Sequence, residues 1–186
     1  NLKGQVKVCI VGKYTHLEDS YLSISASIKH ASIECGCDYF TDWLNAETLE
    51  QDPECLRKLD DYDGILVPGG FGERGTEGKM MAIRYAREHN IPFLGLCLGM
   101  QLSVVEFARN VLGLKGANST EFNEDTPYPV IDILPEQEGV EDMGATMRLG
   151  DYEAQLKPGS LAENIYGSRS IVERHRHRYE VNPNFV

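Results

Sequence analysis

The sequence predicts an α/β fold: a doubly wound, mostly parallel sheet with helices on both faces and an antiparallel extension in the second half. Three observations lead there. Over the first 112 residues, short apolar runs alternate with segments of helical spacing. Two of the runs end in glycine-rich turns, Pro68-Gly69-Gly70-Phe71-Gly72 and Gly95-Leu96-Cys97-Leu98-Gly99. From about residue 129 the helical pattern gives way to strand-like segments joined by polar connectors.

Val6 to Val11 reads as a buried strand ending at Gly12, and Asp19 or Ser20 is placed to cap a helix running to about Ser32. Cys37 to Trp43 reads as a second strand and Pro53 to Leu59 as a short helix. Asp63 to Pro68 forms a third strand, and Glu77 to His89 is rich in helix formers. Ile91 to Leu96 is a fourth strand; after it, Leu98, Leu102, Val105, Ala108 and Leu112 share one helix face. Pro129 to Leu134, Ala145 to Leu149 and Ile171 to Val181 read as strands, Ser160 to Tyr166 as a short helix, and Pro135 to Asp142 as an acidic mobile loop. Strand–helix alternation with right-handed crossovers places ligands at the carboxyl ends of the strands, the edge where both glycine-rich turns lie.

Composition sets bounds. The 186 residues are 41% hydrophobic and 25% charged, enough for one domain with a full core. A net charge of −11 argues against a nucleic-acid surface, although a local arginine cluster can still hold an anion. No apolar stretch spans a bilayer and the N-terminus is unlike a signal peptide. Five cysteines without secretory features suggest free thiols in a reducing compartment. Cys35 and Cys37 have the wrong spacing for a zinc pair, so no structural metal is expected.

The chemistry centres on Cys97. Most cysteines beside apolar runs are inert core residues, and Cys9 is read as one. Cys97 differs in having glycine two residues before and two after, between a strand and a helix, which is the pattern of a nucleophile elbow. Small neighbours let a substrate approach the backbone, the helix N-terminus is expected to lower the thiol pKa, and the Leu98 amide points where an oxyanion would form. Gly70 lies 27 residues before Cys97, about one strand-to-strand unit, so the two turns should be neighbours. Its turn reads as an oxyanion-hole strand or as a plain turn, and it lacks the ending of a Walker loop.

Gly-Leu-Cys-Leu-Gly-Met-Gln (95–101) together with Pro-Gly-Gly-Phe-Gly (68–72) resembles the class I, or triad, glutamine amidotransferases, and in particular the glutaminase domains of CTP synthases. Val11-Gly12-Lys13-Tyr14, Ala117 to Phe122, Gly144 to Gly150 and Glu173 to Asn182 carry the resemblance over nearly the whole chain. It implies a flavodoxin-like fold and a cysteine nucleophile at Cys97 that takes the side-chain amide of L-glutamine, with oxyanion amides from Gly70 and Leu98. Each such amide is worth roughly 2.7–4 kcal/mol elsewhere. Gln101 would hold the substrate, Glu121 its α-ammonium and Arg178 its α-carboxylate; Phe71, Arg148 and the loop 135–142 are candidates for a GTP surface. Taken without the resemblance, Gln101 could sit on a helix surface and Glu121 in a loop. The run Arg174 to Arg178 could be a solvated strand edge, with Arg174, Arg176 and Arg178 on one face and His175 and His177 on the other.

The family's general base, a histidine two residues before a glutamate in His-Pro-Glu-Phe, has no counterpart here. None of His16, His30, His89, His175 and His177 precedes proline, and the last two belong to the family's separate Arg-His motif. The resemblance therefore implies that residues 1–186 form a single class I amidotransferase domain without its C-terminal His/Glu segment and without the N-terminal synthetase domain. The expected activity is glutamine hydrolysis feeding ammonia to ATP-dependent amination of UTP to CTP. ATP and Mg would be used by the synthetase domain, GTP would be the activator, and this domain would hold no cofactor. A homotetramer in the cytoplasm is expected, with no nucleic-acid or membrane partner. The alternatives are a non-catalytic glutamine-binding regulatory or assembly module, and a glutaminase serving another synthetase.

Overall fold

The computed structural model describes residues 2–13, 21–133 and 148–186, and of Arg148 only the backbone. The Asp19 or Ser20 cap, the loop 135–142 and the strand start at 145–147 lie outside the described residues. The chain divides into two compact units, residues 1–131 with 181–186, and residues 132–180.

The first unit carries the parallel sheet. Strands β1 (Gln5–Gly12), β2 (Asp38–Asn45), β3 (Gly64–Val67) and β4 (Phe93–Gly95) are hydrogen-bonded in the order β2-β1-β3-β4. The register is regular: Cys9 pairs with Asp42 and Ile65, and Val67 with Gly95. Strand order reverses at β1. Right-handed crossovers on either side of that point put α1 (Leu22–Cys35) on one face and α3 (Thr76–His89) on the other. Helix α4 (Leu98–Asn110) follows β4 directly.

Cys9, Ile10, Val11, Ile65 and Val67 form the sheet core, against Met80, Ile83 and Ala86 of α3 and Leu98, Leu102, Val105 and Ala108 of α4. Cys9 is buried as expected, and burial pushes its thiol up to about 12. Leu112 does not join the α4 face. The helix stops at Asn110 and Leu112 is exposed beyond it. The α1 face is covered incompletely. A cleft of about 390 Å³ between Ile28, Ala31 and Cys35 of α1 and the ends of β3 and β4 leaves Leu94 54% exposed.

The structure adds α2 (Ala46–Gln51), capped by the Asn45 side chain on Glu47 N, and turns the expected helix at Pro53 into a 3-10 helix, Pro53–Asp61. A short β5 (Asn118–Ser119) pairs in parallel with β6 (Pro129–Ile133). The first unit closes through Asn182, whose amide N donates to Val130 O and whose Nδ2 donates to Pro129 O, each at 2.9 Å.

The second unit contains the antiparallel pair β7 (Arg148–Gln155) and β8 (Ser170–His177), and α5 (Leu161–Tyr166) capped by Ser160. The expected strand from Ile171 to Val181 is broken at Arg178, after which β9 (Tyr179–Val181) begins. Arg174 and Arg176 are exposed while His175 and His177 are half-buried, so the alternation read from the sequence holds within β8 and ends before Arg178.

Candidate active site

Cys97 is one of only two non-glycine residues with positive φ among the described residues, at φ 52°, ψ −110°. That backbone conformation costs a β-carbon-bearing residue about 1–3 kcal/mol and persists only where packing imposes it. The packing is visible on both sides. A Cβ at Gly95 would fall 2.6 Å from the Gly99 carbonyl carbon, and one at Gly99 would overlap the Val67 carbonyl. The two glycines are therefore required because the turn folds back on α4 and α4 seats directly on β3. The resulting elbow presents the thiol at the carboxyl edge of the sheet, where the neighbouring Leu98 amide favours its ionised form.

The two glycine turns meet as the spacing predicts. A Cβ at Gly69 would lie 3.3 Å from Cys97 Cβ and 3.7 Å from Sγ. Lys13, buried at the end of β1, clamps the first turn by donating to Phe71 O at 2.7 Å and Gly72 O at 3.0 Å. The Gly72 N–H donates to Glu121 Oε1 at 3.3 Å. Carboxyl ends of three strands thus converge, with Glu121 supplied from the segment after β5.

The electrostatics differ from the expectation. The Cys97 pKa is raised, because desolvation by the surrounding turn outweighs the Leu98 amide; the Glu121 carboxylate raises it further and the Lys79 ammonium opposes. A helix N-terminus alone does not make this thiol acidic. Burial also lowers the Lys13 pKa, assisted by Arg74.

Of the residues read from the sequence, Gly70, Leu98, Gln101 and Glu121 are brought to the Cys97 elbow. Gln101 is buried and its amide N donates to Cys97 O at 3.1 Å, so it is not a helix-surface residue. Phe71 projects from the same turn and is exposed. Arg148 and Arg178 belong to the second unit. Arg178 Nε is buried there with no hydrogen-bond partner, an unfilled donor suited to an anionic group. Sequence reasoning missed Lys79. It shares the apolar stripe of α3 with Ala82, Ile83 and Ala86, at spacings of three, four and seven residues, and a lysine inside such a stripe is a legible signal.

The chain matches the family model for glutamine amidotransferase class-I over residues 16–186. It is 72% identical over 186 residues to the CTP synthase of Methanococcoides burtonii, covering all of this chain and 35% of that protein. It is 57% identical over 185 residues to the CTP synthase of Archaeoglobus fulgidus, covering 34% of it. The chain thus spans about a third of the length of these curated relatives. Among solved structures, the Trypanosoma brucei CTPS glutaminase domain with bound acivicin is similar at a TM-score of 0.88 and 40% identity, over 97% of this chain and 69% of that one. Elbow, facing glycine turn and whole-chain match agree: the chain belongs to the glutamine amidotransferase class-I family, on the branch carried by the CTP synthases.

Proposed function

We propose that this chain is the glutaminase part of a CTP synthase. The observation that carries the reading is the strained Cys97 elbow facing the Gly69-Gly70 turn. Cys97 Sγ bonds to the carboxamide carbon of L-glutamine and the amides of Gly70 and Leu98 receive the charge on its oxygen. The C–N bond then breaks, the amine leaves as ammonia with the thiol proton, and water hydrolyses the γ-glutamyl thioester to glutamate. Gln101 and Glu121 hold the substrate, Glu121 at its α-ammonium, and the unfilled Arg178 Nε supports a role at the α-carboxylate. Phe71 and Arg148 contribute to a GTP surface.

Among the described residues, the charged groups acting on Cys97 are Glu121 and Lys79, and neither is a histidine. The reading assigns the general base to a His/Glu pair of the kind the resemblance implies, in a segment C-terminal to Val186 of the full protein. In keeping with this, the similar T. brucei glutaminase domain is longer than this chain. Ammonia passes to an N-terminal synthetase domain that uses ATP and Mg to aminate UTP, in a cytoplasmic homotetramer activated by GTP.

Acivicin labelling read by intact mass and peptide mapping tests the site. A glutamine-protectable adduct on Cys97 is expected, and no adduct overturns the reading. In the full-length protein, Cys97→Ser should abolish glutamine-dependent CTP formation and spare ammonia-dependent formation. That no histidine among the described residues acts on Cys97 also favours a second reading, a glutamine-binding module without turnover. Glutamine-protected labelling with no glutamine hydrolysis by the full-length protein would select it.

A further inference from the structure

Lys79 is 1% exposed and heads the largest fully buried side chains among the described residues. Burying an ammonium is costly unless it is paired, and long lysine side chains ordinarily reach water instead. Lys79 does neither. Among the described residues no carboxylate forms an ion pair with it and its Nζ makes no hydrogen bond. Burial, with help from the Lys13 charge, pushes its pKa down to about 8, and the Cys97 thiolate acts in the opposite direction. A Cβ at Gly70 would lie 3.6 Å from Lys79 Nζ and 3.7 Å from Leu98 Cδ2, so the cation sits against Gly70, beside the Leu98 side chain and next to the turn that faces Cys97.

The geometry points to Lys79 as a positioning residue for the nucleophile: its buried ammonium, fixed against Gly70, stabilises the Cys97 thiolate and the oxyanion formed there. The inference rests on the reading of Cys97 as the nucleophile. In a desolvated site a fixed charge acts far more strongly than in water and needs no reorganisation when the anion forms. Lys79 works against the desolvation of the thiol and against Glu121, which accepts from Gly72 N in the same glycine turn. Among the described residues Lys79 is the cation that lowers the Cys97 pKa, while Lys13 donates to the carbonyls of Phe71 and Gly72 and Arg74 pairs with Glu47.

The test is the pH profile of iodoacetamide alkylation at Cys97 in the wild type, Lys79→Met and Lys79→Arg, each checked for folding by circular dichroism. The charged groups bearing on the profile are Lys79 from α3, Lys13 from β1, Glu121 from the segment after β5, Arg74 from the glycine turn and Glu47 from α2. Lys79→Met should move the profile to higher pH and slow alkylation at pH 7.5 about tenfold, one pKa unit. Lys79→Arg should stay within about threefold of wild type, because it keeps a cation there. An unchanged profile in folded Lys79→Met overturns the proposal.

A second measurement needs no change at Lys79. In protein labelled with 13C at lysine Cε, Lys79 should titrate at higher pH in Cys97→Asp than in Cys97→Asn, and equal midpoints overturn the proposal. Neither readout uses glutamine. A shifted profile without glutaminase activity would sink the functional reading alone, and activity with unshifted profiles would sink only this inference.

Discussion

Gly99 lies so close to Val67 that a Cβ at position 99 would overlap the Val67 carbonyl oxygen. Helix α4 is thereby docked backbone to backbone on β3, and Cys97, two residues earlier, is aimed by that contact. Gly99→Ala must push α4 off the strand. It should cost about 1–3 kcal/mol, the usual range for overpacking. Acivicin labelling of Cys97 should fall by at least tenfold even in the molecules that remain folded. Thermal unfolding and labelling measured side by side check both parts.

Glu121 acts on the nucleophile as well as on the glycine turn. Its carboxylate raises the Cys97 pKa, so removing the charge in Glu121→Gln lets the thiol deprotonate at lower pH. Alkylation requires the thiolate, so its rate climbs with pH through the thiol pKa. The variant's alkylation profile should therefore shift to lower pH and alkylation at pH 7.5 should be faster. Glutamine protection should weaken at the same time, because the proposed partner of the α-ammonium is gone. A profile displaced to higher pH would contradict this electrostatic assignment.

Helices α3 and α4 are tied by Arg87 and Glu106, whose two hydrogen bonds measure 3.1 Å and 2.7 Å. Glu106 is 1% exposed and also accepts from Asn110 Nδ2. Arg87 is partly exposed and can rehydrate when its partner is lost. Glu106→Ala should therefore cost about 2–3 kcal/mol, below the 3–5 kcal/mol of a fully buried pair. Chemical denaturation should show a lower midpoint, with Cys97 labelling per folded molecule unchanged.

Much of the sheet was legible because β1 and β3 are nearly continuous apolar runs closed by glycine, and α3 and α4 show clear periodicity. Helix α2 escaped notice because six residues carry no period; it exists through the Asn45 cap and its packing under Gly78, where a Cβ would overlap the Ala46 carbonyl oxygen. Cys97 was legible from glycine spacing and the nearness of the facing turn from its 27-residue separation, while that turn's role came only through the family resemblance. The ionisation of Cys97 was not legible, because a local rule about helix N-termini carries no information on desolvation or on Glu121, 24 residues away in sequence. Lys79 was overlooked although it sits in the apolar stripe of α3. A charged residue there reads as an imperfection of the pattern until the fold shows which site it backs.

The stability of the protein should reveal what that lysine costs. Its folded pKa of about 8 lies below the ordinary lysine value of 10.5. Between those values the unfolded chain binds more protons, so this group adds stability as pH rises from about 8 to 10.5 and penalises the fold below pH 8. The penalty is of the order of 3 kcal/mol. Lys79→Met should accordingly be more stable than wild type at pH 7, with the gap closing towards pH 10.5. Urea denaturation at pH 7, 9 and 10 tests the sign, and a destabilised variant at pH 7 would refute it.

Residues 132–180 interrupt the sheet-bearing unit rather than follow it: Ile131 and Val181 belong to the same unit, and Asn182 is bonded to Val130 and Pro129. The second unit is therefore a parenthesis in the chain, opening and closing at neighbouring points. On the ribosome, a nascent chain that has emerged only as far as Ile131 already holds all four parallel strands, α4 and Cys97. It cannot seal that unit until the whole parenthesis has been made and Asn182 arrives to bind β6. Synthesis order and folding order are thus uncoupled for the last residues, and variation in the length of the insert can accumulate without disturbing the strands that aim the nucleophile.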